Sequence, residues 1–149
     1  PSYLDFKHIL NKSIAGKKAQ DTLQKKLDDG IKSINSKEKN LLEEEKKIIQ
    51  QKKLISQDEY IKKVNNLRKK VSDLQKSKNK LLDKIGKDRL KARNEILKNL
   101  NPIIEQYMQE KKIRLVVDKK NIILADEKLD ITNDILKLLD NKLKSIKLN

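Results

Sequence analysis

The sequence predicts an α+β chain, with a long antiparallel α-helical coiled-coil arm set on a small base of β-strands. Three observations carry this expectation. The 149 residues include only three glycines and two prolines and are 40% charged and 36% hydrophobic, a composition that suits long helices and supplies too little apolar material for a thick globular core. Leu, Ile and Val recur at alternating spacings of three and four through the charged middle of the chain, the repeat of a coiled coil. Both ends instead carry short runs of β-branched and aromatic residues.

Residues 1–18 form a mixed opening piece in which Tyr3, Leu4, Asp5 and Phe6 read as a strand. The helical arm follows over residues 19–112. Its first series is Leu27, Ile31, Ile34, Glu38, Leu41, Glu45 and Ile48. Its second is Val64, Leu67, Val71, Leu74, Lys78, Leu81, Ile85, Asp88 and Ala92, prolonged by Ile96, Leu100, Ile103 and Tyr107. Four of the sixteen slots of the two series, Glu38, Glu45, Lys78 and Asp88, are charged, so the seam is an imperfect one. Between the series stands Ser56-Gln57-Asp58-Glu59, a capping-box pattern that starts a new helix. The two helices therefore form an antiparallel hairpin with its tip at residues 54–56. Ile48 then faces Val64, Leu41 faces Val71, Ile31 faces Leu81, and Leu27 faces Ile85. Gly30 and Gly86 fall at nearly the same height, which reads either as a hinge or as a close helix contact. Pro102 is expected to bend or break the returning helix.

Residues 113–149 complete the base. Ile113 to Val117 and Ile122 to Ala125 read as a strand pair joined by a turn at 118–121. Asp130 is placed to cap a closing amphipathic helix bearing Ile131, Ile135, Leu138, Leu139 and Leu143. Isolated hairpins are marginal in water, so the apolar Leu4, Phe6, Leu115, Val117 and Ile123 lack adequate partners within one chain. Residues 1–18 and 113–149 are therefore expected to be an oligomerising body.

Enzyme chemistry finds no support: there is one histidine, His8, no cysteine, no glycine-rich phosphate loop and no nucleophile elbow. No cofactor, metal or catalytic residue is expected. Glu43, Glu44 and Glu45 read as solvated helix charge, and the hydroxyls of Ser13, Ser33 and Ser36 lack a base. The net charge of +15 and pI near 9.8 imply attraction to something acidic. Arginine, the residue of planar phosphate and guanine recognition, occurs only at 68, 89, 93 and 114, which speaks against specific nucleic-acid reading. Tyr3, Phe6, Tyr60 and Tyr107 are too few to form a stacking platform. On the returning helix, Lys62, Lys63, Arg68, Lys69, Lys70, Lys84, Lys87, Arg89, Lys91 and Arg93 read either as a solvated face or as a basic wall for acidic clients or phosphate-bearing lipid, acting over roughly 8 Å. No apolar run approaches the roughly 20 residues that span a bilayer.

Tyr3-Leu4-Asp5-Phe6, His8-Ile9-Leu10-Asn11 and Ser13-Ile14-Ala15-Gly16-Lys17-Lys18-Ala19 resemble the start of the Skp/OmpH chaperones. Leu115-Val116-Val117-Asp118, the strand Ile122 to Leu124, and Asp130-Ile131-Thr132 are similar to that family's LVVD and DIT signatures. The middle matches only through heptads. The resemblance implies a homotrimer with a shared β-barrel body, helical arms enclosing a cavity, and an ATP-independent holdase for unfolded outer-membrane proteins in the periplasm. The chain opens on Pro1 rather than Met, which reads either as a removed signal peptide or as a trimmed chain. The family's lipopolysaccharide-binding arginines find no residue-by-residue match here, so an anionic lipid or lipopolysaccharide partner stays open. The competing readings are a basic coiled-coil nucleic-acid-binding or structural protein and, third, a prefoldin-like chaperone.

Overall fold

The computed structural model describes residues 1–148. Helix takes up 79% of the chain, in the order β1 Ser2–Leu4, α1 Phe6–Lys12, α2 Ile14–Gln51, α3 Gln57–Lys111, β2 Val116–Asp118 and α4 Thr132–Lys142. Two compact units are formed: an arm unit, Gln24–Gly86, and a base unit of Pro1–Leu23 together with the chain from Lys87 onward.

The base unit ties the two ends of the chain together. β1 and β2 pair in parallel, Ser2 with Val116 and Leu4 with Asp118, and the Ser2 amide donates to the Leu115 carbonyl at 2.8 Å. The Ile131 amide donates to the Tyr3 carbonyl at 3.0 Å. The core beneath consists of Leu4, Ile9, Ile96, Leu100, Ile131, Ile135 and Leu139. Each additional fully buried aliphatic side chain of this kind is worth about 1.5 to 3 kcal/mol. Residues 96 and 100 of α3, and 135 and 139 of α4, lie four apart and so share one helix face.

Local hydrogen bonds fix where these helices begin. Asp5 caps α1 by accepting from the His8 amide at 3.1 Å. The Ser13 hydroxyl, completely buried, accepts from the Gly16 amide at 3.0 Å and so opens α2. Asp140 of α4 accepts from the Ile14 amide at 2.8 Å. At position 16 a β-carbon would lie 1.9 Å from the Leu10 carbonyl oxygen, so the turn between α1 and α2 admits only glycine.

Several expectations for the base are corrected. The first strand covers Ser2–Leu4, and Phe6 opens a helix because Asp5 caps it. The second strand covers Val116–Asp118 instead of 113–117: Lys112 takes a positive φ of 56°, and the Ile113 amide is drawn back to the Met108 carbonyl at 2.9 Å. The hairpin is absent among the described residues. Asp118 caps a 3-10 turn at Lys119–Asn121 in place of a hairpin turn, and residues 122–125 form no strand. α4 begins at Thr132 with Ile131 in the cap position; Asp130 still accepts from the Thr132 amide at 2.9 Å. Pro102 lies inside an unbroken α3. Proline removes one backbone donor only, and neighbouring Leu100, Ile103 and Ile104 are held to the core.

In the arm unit, α2 ends at Gln51 and α3 starts at Gln57. The Ser56 hydroxyl accepts from the Glu59 amide at 3.2 Å, the forward half of the capping box. Of the seam residues, Ile34, Ile48, Leu74 and Ile85 are buried, while Leu27, Leu41, Val64, Leu67 and Leu81 are half-buried. Ile31 and Val71 are exposed, as are Glu38, Glu45 and Lys78. Gly30, rather than Ile31, meets Leu81: a β-carbon there would lie 2.5 Å from a Leu81 methyl. Nothing lies within 4 Å of the same position on Gly86.

Candidate functional site

The basic residues of α3 do not form one wall. A helix that keeps a seam at every third and fourth residue presents two flanks, one on either side of that seam. Lys63, Lys70 and Lys84 stand on one flank, at multiples of seven residues. Lys70 donates to Glu44 at 2.9 Å and Lys63 to Gln51 at 2.7 Å. Lys47, Lys69 and Asn66 join them around an open cleft of about 520 Å³. Arg68 stands on the other flank and, with Glu45, borders a groove of about 430 Å³ whose other walls are Ile48, Ile49, Tyr60, Val64, Leu67 and Val71. Lys52 lies over the Tyr60 ring, 5.5 Å from its centre.

The remaining expected basic residues lie elsewhere. Lys62 is exposed on the arm, off both flanks. Lys87, Arg89, Lys91 and Arg93 belong to the base unit, where the Arg93 guanidinium covers the Phe6 ring at 5.6 Å. The ion pair between Lys70 and Glu44 is solvent-exposed, so it contributes about 0 to 1 kcal/mol and serves register more than stability.

In the base, a groove of about 420 Å³ runs beside β2 and brings together Leu4, Phe6, Leu115 and Val117 with Leu100, Ile104 and Met108. Leu4 is buried, and Phe6 and Val117 are half-buried. Leu115 is 54% exposed. Ile123 lies outside the groove and is fully exposed, with Leu124 beside it at 91%. Neighbouring exposed aliphatic residues such as these form an apolar patch on the surface of the base. On the base, the Tyr107 hydroxyl donates to Asp134 at 2.7 Å and ties α3 to α4. That hydrogen bond, with burial and the nearby carboxylate charge, pushes the phenol up to about 12.

Among the described residues no group of His, Cys, Asp or Glu is placed to hold a metal ion, and no helix is long and apolar enough to cross a membrane. Ser13, scanned as a nucleophile, is a helix cap.

Sequence reasoning missed the division of the arm into two unlike flanks. The signal was present: numbering the seam in sevens puts Lys63, Lys70 and Lys84 on one flank, and on the other Leu42, Ile49, Ile61 and Leu82 interleaved with the polar Asn35, Arg68 and Gln75.

The family profile described as outer membrane protein (OmpH-like) matches residues 2–139. No curated protein matches the chain. Among solved structures, the chain is similar to a protein described as an OmpH-like outer membrane chaperone from Caulobacter crescentus CB15. The two share 21% identity and a TM-score of 0.91, over 99% of this chain and 88% of that one.

Proposed function

The chain belongs to the OmpH-like outer membrane protein family, and from that premise we propose that it is an ATP-independent holdase chaperone. Its clients are unfolded outer-membrane proteins in the periplasm. It works as a homotrimer in which the base, residues 1–18 and 113–149, joins three chains and the arms, residues 19–112, surround the client.

The observation that supports this reading best is the unfinished strand base. Two three-residue parallel strands, an apolar groove beside β2 and the bare Ile123 and Leu124 are what a strand contributed by a neighbouring copy would cover. Parallel pairs this short are not stable alone. The exposed lysines of α3 attract acidic clients at long range, and exposed aliphatic residues hold them afterwards. Many weak contacts of this kind restrain a chain without burying it in a fixed pocket.

The test is suppression of aggregation when a urea-unfolded outer-membrane β-barrel protein is diluted into buffer without nucleotide. At micromolar concentration the protein is expected to sediment as a trimer and to hold the client soluble, less well as salt rises. A folded monomer, or no protection at any salt concentration, overturns the proposal.

A further inference from the structure

Between two short 3-10 turns of the base, at Lys119–Asn121 and Glu127–Leu129, residues 122–126 follow no helix or strand. The backbone is extended at both ends of this stretch, at Ile122 and at Asp126. The Ile122 amide donates to the Lys119 carbonyl at 3.1 Å and the Leu129 amide to the Asp126 carbonyl at 3.0 Å. Among the described residues, no backbone hydrogen bond holds the peptide groups from Ile123 to Ala125. Ile123 is fully exposed and Leu124 is 91% exposed. Asn121 to Ala125 carry no charge, in a chain that is 40% charged.

An irregular surface segment with free peptide groups is where endopeptidases nick folded proteins, because an enzyme cleft takes its substrate as an extended strand and reads alternate side chains in pockets. Resting on the homotrimer reading above, we propose that residues 122–125 are a cleavage site for an endopeptidase with an aliphatic specificity pocket, open in the single chain and closed in the assembly. Other exposed aliphatic residues are poorer substrates. Leu42, Ile49, Leu82 and Leu90 lie inside α2 and α3, where turns of helix must unwind before a cleft can take the backbone. Leu54, exposed at the tip, donates its amide to the Gln51 carbonyl at 2.8 Å and follows Lys52 and Lys53, whose charges an apolar cleft rejects.

The cut is a hydrolysis: water adds across the peptide bond, the C–N bond breaks, the carbonyl carbon leaves as a carboxylate and the nitrogen as an ammonium. One cut undoes the base. Ile131, Ile135 and Leu139, three of its seven core residues, lie beyond the site. Their helix, α4, has 11 residues, too few to be stable alone in water. Once the chain is cut, packing of α4 on Leu4, Ile9, Ile96 and Leu100 becomes an association between two pieces and loses the effective concentration, roughly millimolar for short links, that the connecting segment supplied. Cleavage therefore removes unassembled chains, and assembly protects the rest.

The test is limited proteolysis of the full-length protein by thermolysin, which selects large aliphatic residues, with the cut located by mass spectrometry of the fragments. Two routes give unassembled chain: dilution of the unmodified protein below the concentration at which it sediments as a trimer, and Val117→Asp, with circular dichroism checking that helicity is kept. The first cut is expected within residues 121–125, about tenfold or more faster in unassembled chain than in trimer, because cleavage tracks the population whose site is open. Ile123→Asn plus Leu124→Asn, added to Val117→Asp, is expected to slow that cut about tenfold through loss of the pocket contact. A first cut at the tip or within a helix, or equal rates in trimer and unassembled chain, overturns the proposal and leaves the homotrimer and holdase readings standing. If the unmodified protein sediments as a monomer at every concentration, the homotrimer reading falls, and the shielding proposed here falls with it.

Discussion

Gly16 sits where α1 turns into α2, and the nearest obstacle to any side chain there is the Leu10 carbonyl oxygen, a backbone atom that cannot swing aside. Gly16→Ala is therefore expected to destabilise the base by about 3 kcal/mol through overpacking, read as a lowered urea midpoint with an unchanged slope. Tyr107 offers a gentler probe at the same scale. Its folded-state value of about 12 lies above the ordinary 10 for a tyrosine, so the folded form holds the phenolic proton more tightly than the unfolded one. The stabilisation is complete below pH 10 and is lost as pH rises through 12. Tyr107→Phe is expected to cost about 1 kcal/mol at neutral pH. The gap from the unmodified protein should narrow across that alkaline window; a gap that stays constant to pH 12 would show that Asp134 contributes nothing.

At the scale of the helices, the two glycines of the arm do different things. Gly30 lets α2 approach Leu81, whereas Gly86 faces open space. Gly86→Ala is expected to raise stability by about 1 kcal/mol through helix propensity alone. Gly30→Ala is expected to gain nothing until Leu81→Ala makes room, so thermal melts of the double variant should show coupling that the pair Gly86 and Leu81 lacks. Gly86 is then the arm glycine whose low helix propensity has no packing contact beside it. How much of the arm was legible follows from the same physics. Buried Ile34, Ile48, Leu74 and Ile85 are fixed by a repeat that a helix imposes on its own sequence, and Ser56 starts α3 through a contact three residues away. The strands were less legible. The propensities of Ile122 to Ala125 are those of a strand whether or not a partner exists, and the choice of β1 as the parallel partner of β2 is made across the length of the arm. Phe6 was read as strand because its aromatic ring outweighed the Asp5 cap beside it.

For the molecule as a whole, the strand groove is the place to test assembly. Val117→Asp puts a charge on a half-buried position of β2 beside Leu4 and Phe6. Burying an unpaired carboxylate costs several kcal/mol, so the variant is expected to sediment as a smaller species with the arm helicity intact. Full retention of the trimer would move the contact between chains away from β2. The base was half legible in advance: Leu4, Phe6, Leu115 and Val117 do share one groove, because Leu4 and Val117 lie in the paired strands, Leu115 directly precedes β2 and Phe6 opens the helix after β1. Ile123 stands apart, because the 3-10 turn at Lys119–Asn121 carries it away from the sheet.

The pairing of Ser2–Leu4 with Val116–Asp118 also sets an order of events in time. More than a hundred residues separate β1 from its partner, so forming the strand pair closes a long loop, which is slow compared with local contacts. Meanwhile α2 and the opening turns of α3 can already zip together, since their contacts start only a few residues apart across the turn at 52–56. The arm is thus the early-folding part and the base the late one, and Tyr3 and Leu4 stay unpaired until residues 116–118 are brought back to them.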